Sequence, residues 1–249
     1  MTTREMRRNV TVVSAHQPNY LPWLGYFHKM TYSDVFVFLD DVQYTPKTYT
    51  TRCFIRQGQQ KVRLSVPASL PRWDAAIREV RIDTATFASR HIESFRHAYG
   101  RCHAFDTVME KLRPTYEVGE TSLAEFNIRL ITAIAEMIGL GPRFVRQSEF
   151  GIGSSKNQLL IDLTRAVDGD IFASGIGAKT YIEGSETAYV TAGARLAYQN
   201  FIHPTYCQRK SPFLDGCSIL DLVFNHLADA NEILTGQAEP PYLEWSGDA

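Results

Sequence analysis

Two groups of side chains near the start of the chain have residue types that could carry out chemistry. His16 and Gln17 follow one apolar run. The second group follows the next apolar run and contains Asp40, Asp41, Gln43, Tyr44, Lys47 and Arg52. A lysine and an arginine can hold an anionic ligand, and they keep a neighbouring carboxylate ionised so that it can accept a proton. We therefore predict Asp40 as a general base, and Lys47 and Arg52 as the groups that bind an anion.

The remaining members of these two groups are predicted to contact substrate. His16 is a second catalytic candidate, and Gln17 would help it to orient an acceptor molecule. A structural interpretation stays open, in which the four charges form internal salt bridges or Asp40 caps a turn. Two adjacent acids could also bind Mg²⁺, but Asp40-Asp41 alone does not predict a metal site. The four cysteines have no zinc-ligand spacing, so no metal is predicted.

A glycine-containing turn forms a third candidate, with the sequence Ser174-Gly175-Ile176-Gly177-Ala178-Lys179. Backbone amides in such a turn can approach a phosphate or a carboxylate, so Gly175 and Gly177 are predicted to bind substrate. The spacing matches neither common glycine-rich nucleotide motif. A tight turn between a strand and a helix would explain the same residues.

Tyr206 and Gln208 form a fourth candidate together with Asp221 and Asn225. The last two lie one helical turn apart on an apolar helix, so they face the same way and need polar partners. They could anchor the loop that carries Tyr206 and Gln208. Alternatively, Tyr206 and Gln208 contact substrate.

The pattern of apolar residues predicts the elements that position these groups. Val10–Ala15 and Asp34–Leu39 are expected to be buried strands, and 24–32 a short helix that follows a proline-rich loop. Amphipathic helical patterns fill residues 84–140. Further strands are predicted at 61–67, 77–82, 143–147, 170–174 and 196–201, with helices at 158–167 and 218–227.

Strands at both ends of the chain flank a helical middle, which predicts an α/β fold with a Rossmann-like, mostly parallel sheet and a helical insertion. We expect one α/β domain over residues 1–236, with the helical segment at about 84–140, and a loop-like C-terminal tail over 237–249. Successive parallel strands end at one edge of a sheet, so His16, Asp40, Lys47, Arg52 and Gly175 should converge on one cleft.

The charge and the apolar content of the sequence limit the kinds of partner that we expect. The net charge is −1 over 249 residues, so neither nucleic acid nor an anionic membrane is an expected partner. No apolar run approaches the length of a membrane-spanning helix, and the N-terminus lacks the features of a signal peptide. We expect a cytoplasmic protein with reduced cysteines that binds a small molecule.

The chain resembles the WbqC-like family over about residues 10–228. The resemblance begins with the segment HQPNYLPWLGYF at 16–27 and continues through Asp40, Tyr44, Lys47, Arg52, Ser174, Gly175, Gly177, Tyr181, Pro204, Tyr206, Gln208, Ser218, Ile219, Asp221 and Asn225. It adds Tyr181 to the predicted substrate-binding residues. The chain departs from the family at Thr51-Arg52-Cys53, where asparagines usually flank the arginine, which implies a different substrate if those asparagines touch it.

The family occurs among genes for O-antigen, related polysaccharides and natural products. Membership therefore implies a biosynthetic transferase that acylates or aminoacylates an amino group of a sugar or another small metabolite. A nucleotide sugar or an acyl or aminoacyl donor is the expected partner, and no particular cofactor is indicated. Two alternatives remain open: an ATP-dependent nucleotidyltransferase or ligase, and a non-catalytic binding module of a polysaccharide assembly pathway.

Overall fold

The computed structural model describes residues 10–175, 177, 182, 184–236 and 240–245 of the chain. Within that part, the chain forms a six-stranded sheet with helices on both of its faces, and two small two-stranded sheets beside it. The α/β fold with a mostly parallel sheet that the sequence predicts is therefore confirmed.

The described elements are as follows. The strands are β1 (Val12–His16), β2 (Val35–Phe38), β3 (Arg52–Gln57), β4 (Gln60–Ser65), β5 (Ala68–Ser69), β6 (Arg81–Ile82), β7 (Arg143–Arg146), β8 (Ile171–Ser174), β9 (Arg195–Gln199) and β10 (Tyr242–Glu244). The α-helices are α1 (Leu24–His28), α2 (Ala88–Tyr99), α3 (Phe105–Glu117), α4 (Leu123–Met137), α5 (Lys156–Ala166), α6 (Glu186–Thr191), α7 (Ile219–His226) and α8 (Ala230–Thr235). Short 3₁₀ turns occupy Lys29–Thr31, Ile77–Glu79, Thr84–Thr86 and Gln147–Glu149.

The strand order of the central sheet is β10-β9-β8-β1-β2-β7. All neighbouring strands are parallel except β10, which pairs antiparallel with β9. The chain runs outward from β1 through β2 to β7, and then returns to the other side of β1 to form β8 and β9. The order therefore reverses between β1 and β8, and a crevice opens at such a reversal beyond the carboxyl ends of the two strands.

Each face of the sheet carries its own part of the core, as the alternation of side chains along a strand requires. In β2, Val35 and Val37 pack with α5 and α6 on one face. Phe36 and Phe38 point the other way and pack with α1 and the helices of the insertion. All four residues are buried, which explains why this strand is a continuous apolar run.

Two segments differ from the sequence prediction. The segment 77–82 was predicted as a strand, but Ile77–Glu79 is a 3₁₀ turn and only Arg81–Ile82 is extended. Ile77 and Val80 are both fully buried, and their three-residue spacing suits a 3₁₀ turn rather than a pleat. The predicted loop after 236 contains β10, whose backbone pairs with β9 through Gln199 and Tyr242.

The hairpin of β3 and β4 is a further element, and its first strand was not predicted. Its apolar residues are only Cys53, Phe54 and Ile55, between arginines at 52 and 56. Cys53 and Ile55 are buried and pack into the core that the insertion forms, while Arg52 and Phe54 are only partly buried. Because Arg52 begins this strand, the acidic and basic cluster of 40–52 lies on the loop that connects the central sheet to the hairpin.

Asn127, a buried residue of α4, holds the proline-rich loop in place. Its Nδ2 donates to the backbone oxygen of Pro18 at 2.9 Å and to that of Thr50 at 2.8 Å. Within the loop, Tyr20 N also donates a hydrogen bond to the backbone oxygen of Tyr49 at 2.9 Å. The helical insertion thus fixes the path of the chain directly after β1.

We expect Asn127→Ala to lower the free energy of unfolding by about 2–4 kcal/mol, because two buried carbonyl oxygens lose their donor. Urea unfolding measures the change. The matched control is Asn200→Ala, since Asn200 Nδ2 donates to the exposed carbonyl of Pro240, and this variant should lose about 1 kcal/mol or less. Equal losses in the two variants would contradict the anchoring role.

Candidate functional site

A cleft of about 1050 Å³ lies at the reversal of strand order. Its walls come from the ends of β1, β8 and β9, from α1 and the 3₁₀ turn after it, and from the start of α5. Its volume is close to the upper end of the range for small-molecule sites. Its position beyond the carboxyl ends of parallel strands is also typical of a ligand site.

His16, the last residue of β1, lines this cleft. Its ring lies 4.7 Å from the ring of Tyr26 and 5.6 Å from that of Trp23, measured between centroids. Its Nδ1 lies 3.2 Å from the backbone oxygen of Gln17. Burial, and then the positive charge of Lys29, lower the pKa of His16 well below its ordinary value. The imidazole is therefore unprotonated at pH 7, and the same burial makes it a weaker base than an exposed histidine.

Lys29 also lines the cleft, and the sequence analysis did not select it. Only 3% of the residue is exposed. Its Nζ donates to the backbone oxygen of Ala15 at 3.1 Å and lies 5.8 Å and 5.9 Å from the ring centroids of Tyr26 and Phe36. Burial lowers the pKa of Lys29 to about 7. A lysine inside the apolar run of 24–30 is the signal that could have identified it.

Gly175 and Gln199 face Lys29 across the cleft, at the ends of β8 and β9. A Cβ on Gly175 would lie 3.9 Å from Lys29 Nζ and 3.8 Å from Gln199 Oε1. Gln199 Nε2 donates to the backbone oxygen of Gly25 at 2.7 Å and lies 3.1 Å from Nδ1 of His28, which fixes the orientation of the amide. Gln199 is the last residue of a parallel strand. The expectation that the carboxyl ends of parallel strands meet at one cleft could therefore have identified it too.

Aromatic side chains form an apolar wall beside these polar groups. Trp23 packs against Tyr49, with ring centroids 5.2 Å apart, and Tyr49 is 52% exposed at the mouth of the cleft. Gly25 must be glycine, because a Cβ there would lie 2.9 Å from Trp23 Nε1 and 3.1 Å from Phe201 Cδ1. Such a wall suits a ligand with an apolar or planar portion.

Asp40 does not line the cleft, so the predicted convergence of all the strand-end groups is met only in part. Its carboxylate is 1% exposed. Oδ1 accepts a hydrogen bond from Ser148 N at 3.0 Å, and Oδ2 accepts one from Ser148 Oγ at 2.7 Å. Arg78 N donates to the backbone oxygen of Asp40 at 2.8 Å. Through these contacts Asp40 joins the loop after β2 to the segments that contain Ser148 and Arg78.

The rest of the 40–52 cluster also lies outside the lining of the cleft. Asp41 forms an ion pair with Arg78. Gln43 pairs with Ala76 in an isolated backbone bridge, and Tyr44 is buried in the core of the insertion. Lys47 is exposed, and its backbone oxygen accepts a hydrogen bond from Arg52 at 3.0 Å. Val42 and Tyr49 of this loop line the cleft, whereas its charged side chains do not.

Tyr206 and Gln208 lie in a buried network away from the cleft. Tyr206 Oη and Gln208 Nε2 both donate to Asp221 Oδ2, at 2.9 Å and 2.7 Å. Arg56 of β3 donates to Gln208 Oε1 and to the backbone oxygen of Pro212. This geometry agrees with the structural interpretation of these residues, in which Asp221 anchors the loop that carries Tyr206 and Gln208.

The glycine-containing turn does reach the cleft. Ser174, Gly175 and Gly177 line it, as do His16 and Gln17. Tyr181 lies outside the described residues, as do Ile176, Ala178 and Lys179 of the turn. Of the predicted substrate-binding residues, the structure thus brings Gln17, Gly175 and Gly177 together around His16. It adds Lys29, Gln199 and the exposed Lys156 at the start of α5.

The fold is that of a doubly wound α/β protein, with a cleft at the reversal of strand order. The chain belongs to the WbqC-like protein family, whose model matches residues 17–233. It is also similar to the uncharacterized protein Rv1507c of Mycobacterium tuberculosis, with 29% identity over 225 residues, which is 89% of this chain and 96% of that protein. No solved structure matches the chain at a significant level.

No group of three or more His, Cys, Asp or Glu side chains in the described part of the chain is arranged to hold a metal ion. None of the described helices is both long enough and apolar enough to span a bilayer. The four cysteines are all free.

The contacts of Asp40 lead to a stability prediction. Asp40→Ala should lower the free energy of unfolding by about 2–4 kcal/mol, because Ser148 loses two hydrogen bonds to a charged acceptor. Asp41→Ala is the matched control, since it removes only the partly exposed pair with Arg78 and should cost about 1 kcal/mol or less. Thermal or urea unfolding compares them. A stable Asp40→Ala protein would return Asp40 to the catalytic candidates.

The burial of Lys29 leads to a pH prediction. Its pKa is about 7 in the folded chain and about 10.4 in the unfolded chain, so between these values the unfolded chain binds more protons. The free energy of unfolding therefore rises with pH in this window, by up to about 1.4 kcal/mol per pH unit from this one group.

Urea unfolding at several values between pH 7.5 and pH 9.5 tests this prediction. Lys29→Met should be more stable than the parent at pH 7.5, and the difference should shrink as the pH rises. Lys111→Met is the control, because Lys111 lies exposed on α3. Parallel curves for the parent and Lys29→Met would show that Lys29 is not held in its neutral form.

Proposed function

We propose that this protein is a biosynthetic transferase that acylates or aminoacylates an amino group of a sugar or another small metabolite. The observation that carries the proposal is the neutral His16 at the cleft, where an acceptor amine would bind. An ammonium group cannot attack an acyl carbon until it has lost a proton. A neutral imidazole at the end of β1 can take that proton.

The lining of the cleft suits a donor with an anionic group. The described residues that line it include His16, Lys29 and Lys156 but neither aspartate nor glutamate. The exposed Lys156 can bind a phosphate or a carboxylate as a point charge. The apolar wall of Trp23 and Tyr49 would hold the planar or acyl portion of the donor. A nucleotide sugar or an acyl or aminoacyl donor has both features.

In this proposal the backbone at Gly175 approaches the reacting group closely, because no side chain intervenes. Gln17 and Gln199 would orient the acceptor through hydrogen bonds. The association of the family with O-antigen and natural-product genes supports the same reaction class. The free cysteines are in keeping with a reaction in the cytoplasm.

The test begins with a panel of donors and acceptors. Acyl-coenzyme A thioesters and aminoacyl adenylates are combined with nucleotide-linked amino sugars, and mass spectrometry detects the acylated amine. His16→Gln should cut turnover by about 10²–10⁴, the usual contribution of a positioned proton acceptor, while binding and the melting temperature change little. His97→Gln on α2 is the control, since His97 is exposed outside the cleft.

Two outcomes would contradict the proposal. If the sugar nucleotide binds but no donor yields an acylated product, the binding-module alternative replaces the transferase. If His16→Gln retains the parent's turnover, His16 is not the proton acceptor, and the proposal loses the observation that carries it.

A further inference from the structure

The amine of Lys29 lies at the cleft with little to hold it as a cation. Among the described residues it forms no ion pair, and its one hydrogen-bond acceptor is the backbone oxygen of Ala15. The faces of Tyr26 and Phe36 lie within 6 Å of Nζ. The two rings attract a cation, but burial outweighs them and lowers the pKa of Lys29 to about 7. A substantial share of the amine is therefore unprotonated at pH 7, and a free amine is a nucleophile.

There is room for a ligand atom next to this amine. Gly175 has no side chain, and the position that its Cβ would occupy is 3.9 Å from Lys29 Nζ. An attacking nitrogen and a carbonyl carbon need to lie about 3–3.5 Å apart. A small ligand in van der Waals contact with the backbone of Gly175 on this side would lie within reach of Nζ, because no side chain separates the two.

We propose that Lys29 forms an imine with a small aldehyde or ketone that enters the cleft over Gly175. The inference does not rest on the proposed acyl transfer, because it needs neither an acyl donor nor an amine acceptor. It assigns to the cleft a second class of ligand, the carbonyl compounds.

The atoms balance with water as the one by-product. The lone pair of Nζ attacks the carbonyl carbon, the C–N bond forms, and the carbonyl oxygen takes up a proton that the nitrogen loses. The resulting carbinolamine then breaks its C–O bond and releases water as the C=N bond forms. No oxidant or reductant takes part.

Two neighbours are placed to assist these proton movements. The amide of Gln199 is oriented by its bond to Gly25 O, so its Oε1 faces the space over Gly175 and can accept from the carbinolamine hydroxyl. The neutral imidazole of His16 can take the proton that Nζ loses and return it to the departing hydroxyl. Both are positioned on the ends of parallel strands.

The test uses glyoxylate, a small anionic aldehyde that suits the lysines around the cleft. The purified protein is incubated with glyoxylate and cyanoborohydride at pH 7, which reduces any imine to a stable amine. Peptide mapping by mass spectrometry then locates the adduct. We expect Lys29 to react at least about 10-fold faster than any other lysine, because only about one ordinary lysine in 10³ is unprotonated at this pH.

Three controls separate a specific site from general reactivity. Lys29→Met should lose the fast adduct, and Lys111→Met should keep it. Unfolding the parent protein in urea should abolish the preference for Lys29. Since the adduct is mapped on the parent itself, the result does not depend on whether Lys29→Met folds.

Adducts spread over the exposed lysines with none on Lys29 would overturn the proposal. So would a Lys29→Met protein that takes up the label as fast as the parent. Either result leaves the acyl-transfer test unaffected, because that test depends on His16 and on product formation.

Discussion

Strand β1 pairs in parallel with β2 on one side and with β8 on the other, and the whole site depends on this double pairing. Two aspartates secure the start of the strand, since Asp170 Oδ2 accepts from Thr11 N and Asp34 Oδ2 accepts from Val12 N, both at 2.8 Å. Because its start is fixed from both sides, β1 places His16 at the point where the strand order of the sheet reverses. The crevice, the neutral imidazole and the approach to Gly175 follow from that one placement.

Several residues at and beside the cleft lower the stability of the folded chain, and the rest of the fold must compensate for them. Lys29 and His16 are buried in forms that lose hydration, and Leu21 in the adjoining loop has φ of 42° while fully buried, a backbone conformation that favours glycine. Residues held in this way persist only where their surroundings determine them strongly. Here the surroundings are the aromatic core around Tyr26 and the hydrogen bonds of Asn127, and the helical insertion supplies much of both.

Runs of apolar residues and single glycines in the sequence predicted the strands and turns that neighbouring residues determine. The apolar runs that became β1 and β2, and the glycine at the end of β8, were sufficient to predict the parallel sheet and part of the cleft. Asp40 shows the limit, because its partner Ser148 is 108 residues away and neither residue signals the other. Lys29 was missed because a lysine in an amphipathic segment is usually solvated, and only the packed structure shows that this one is enclosed by rings.

Strand β10 has a consequence for the behaviour of the protein in concentrated solution. Tyr242–Glu244 covers the outer edge of β9, whose backbone groups would otherwise be free to pair with a strand from another molecule. The ion pair between Arg195 and Glu244 lies across these two strands. A chain cut short before this segment would expose a hydrogen-bonding edge, and it would also lose the packing of Tyr242 and Trp245 against the core. Self-association through the exposed edge of β9 would then accompany the loss of stability.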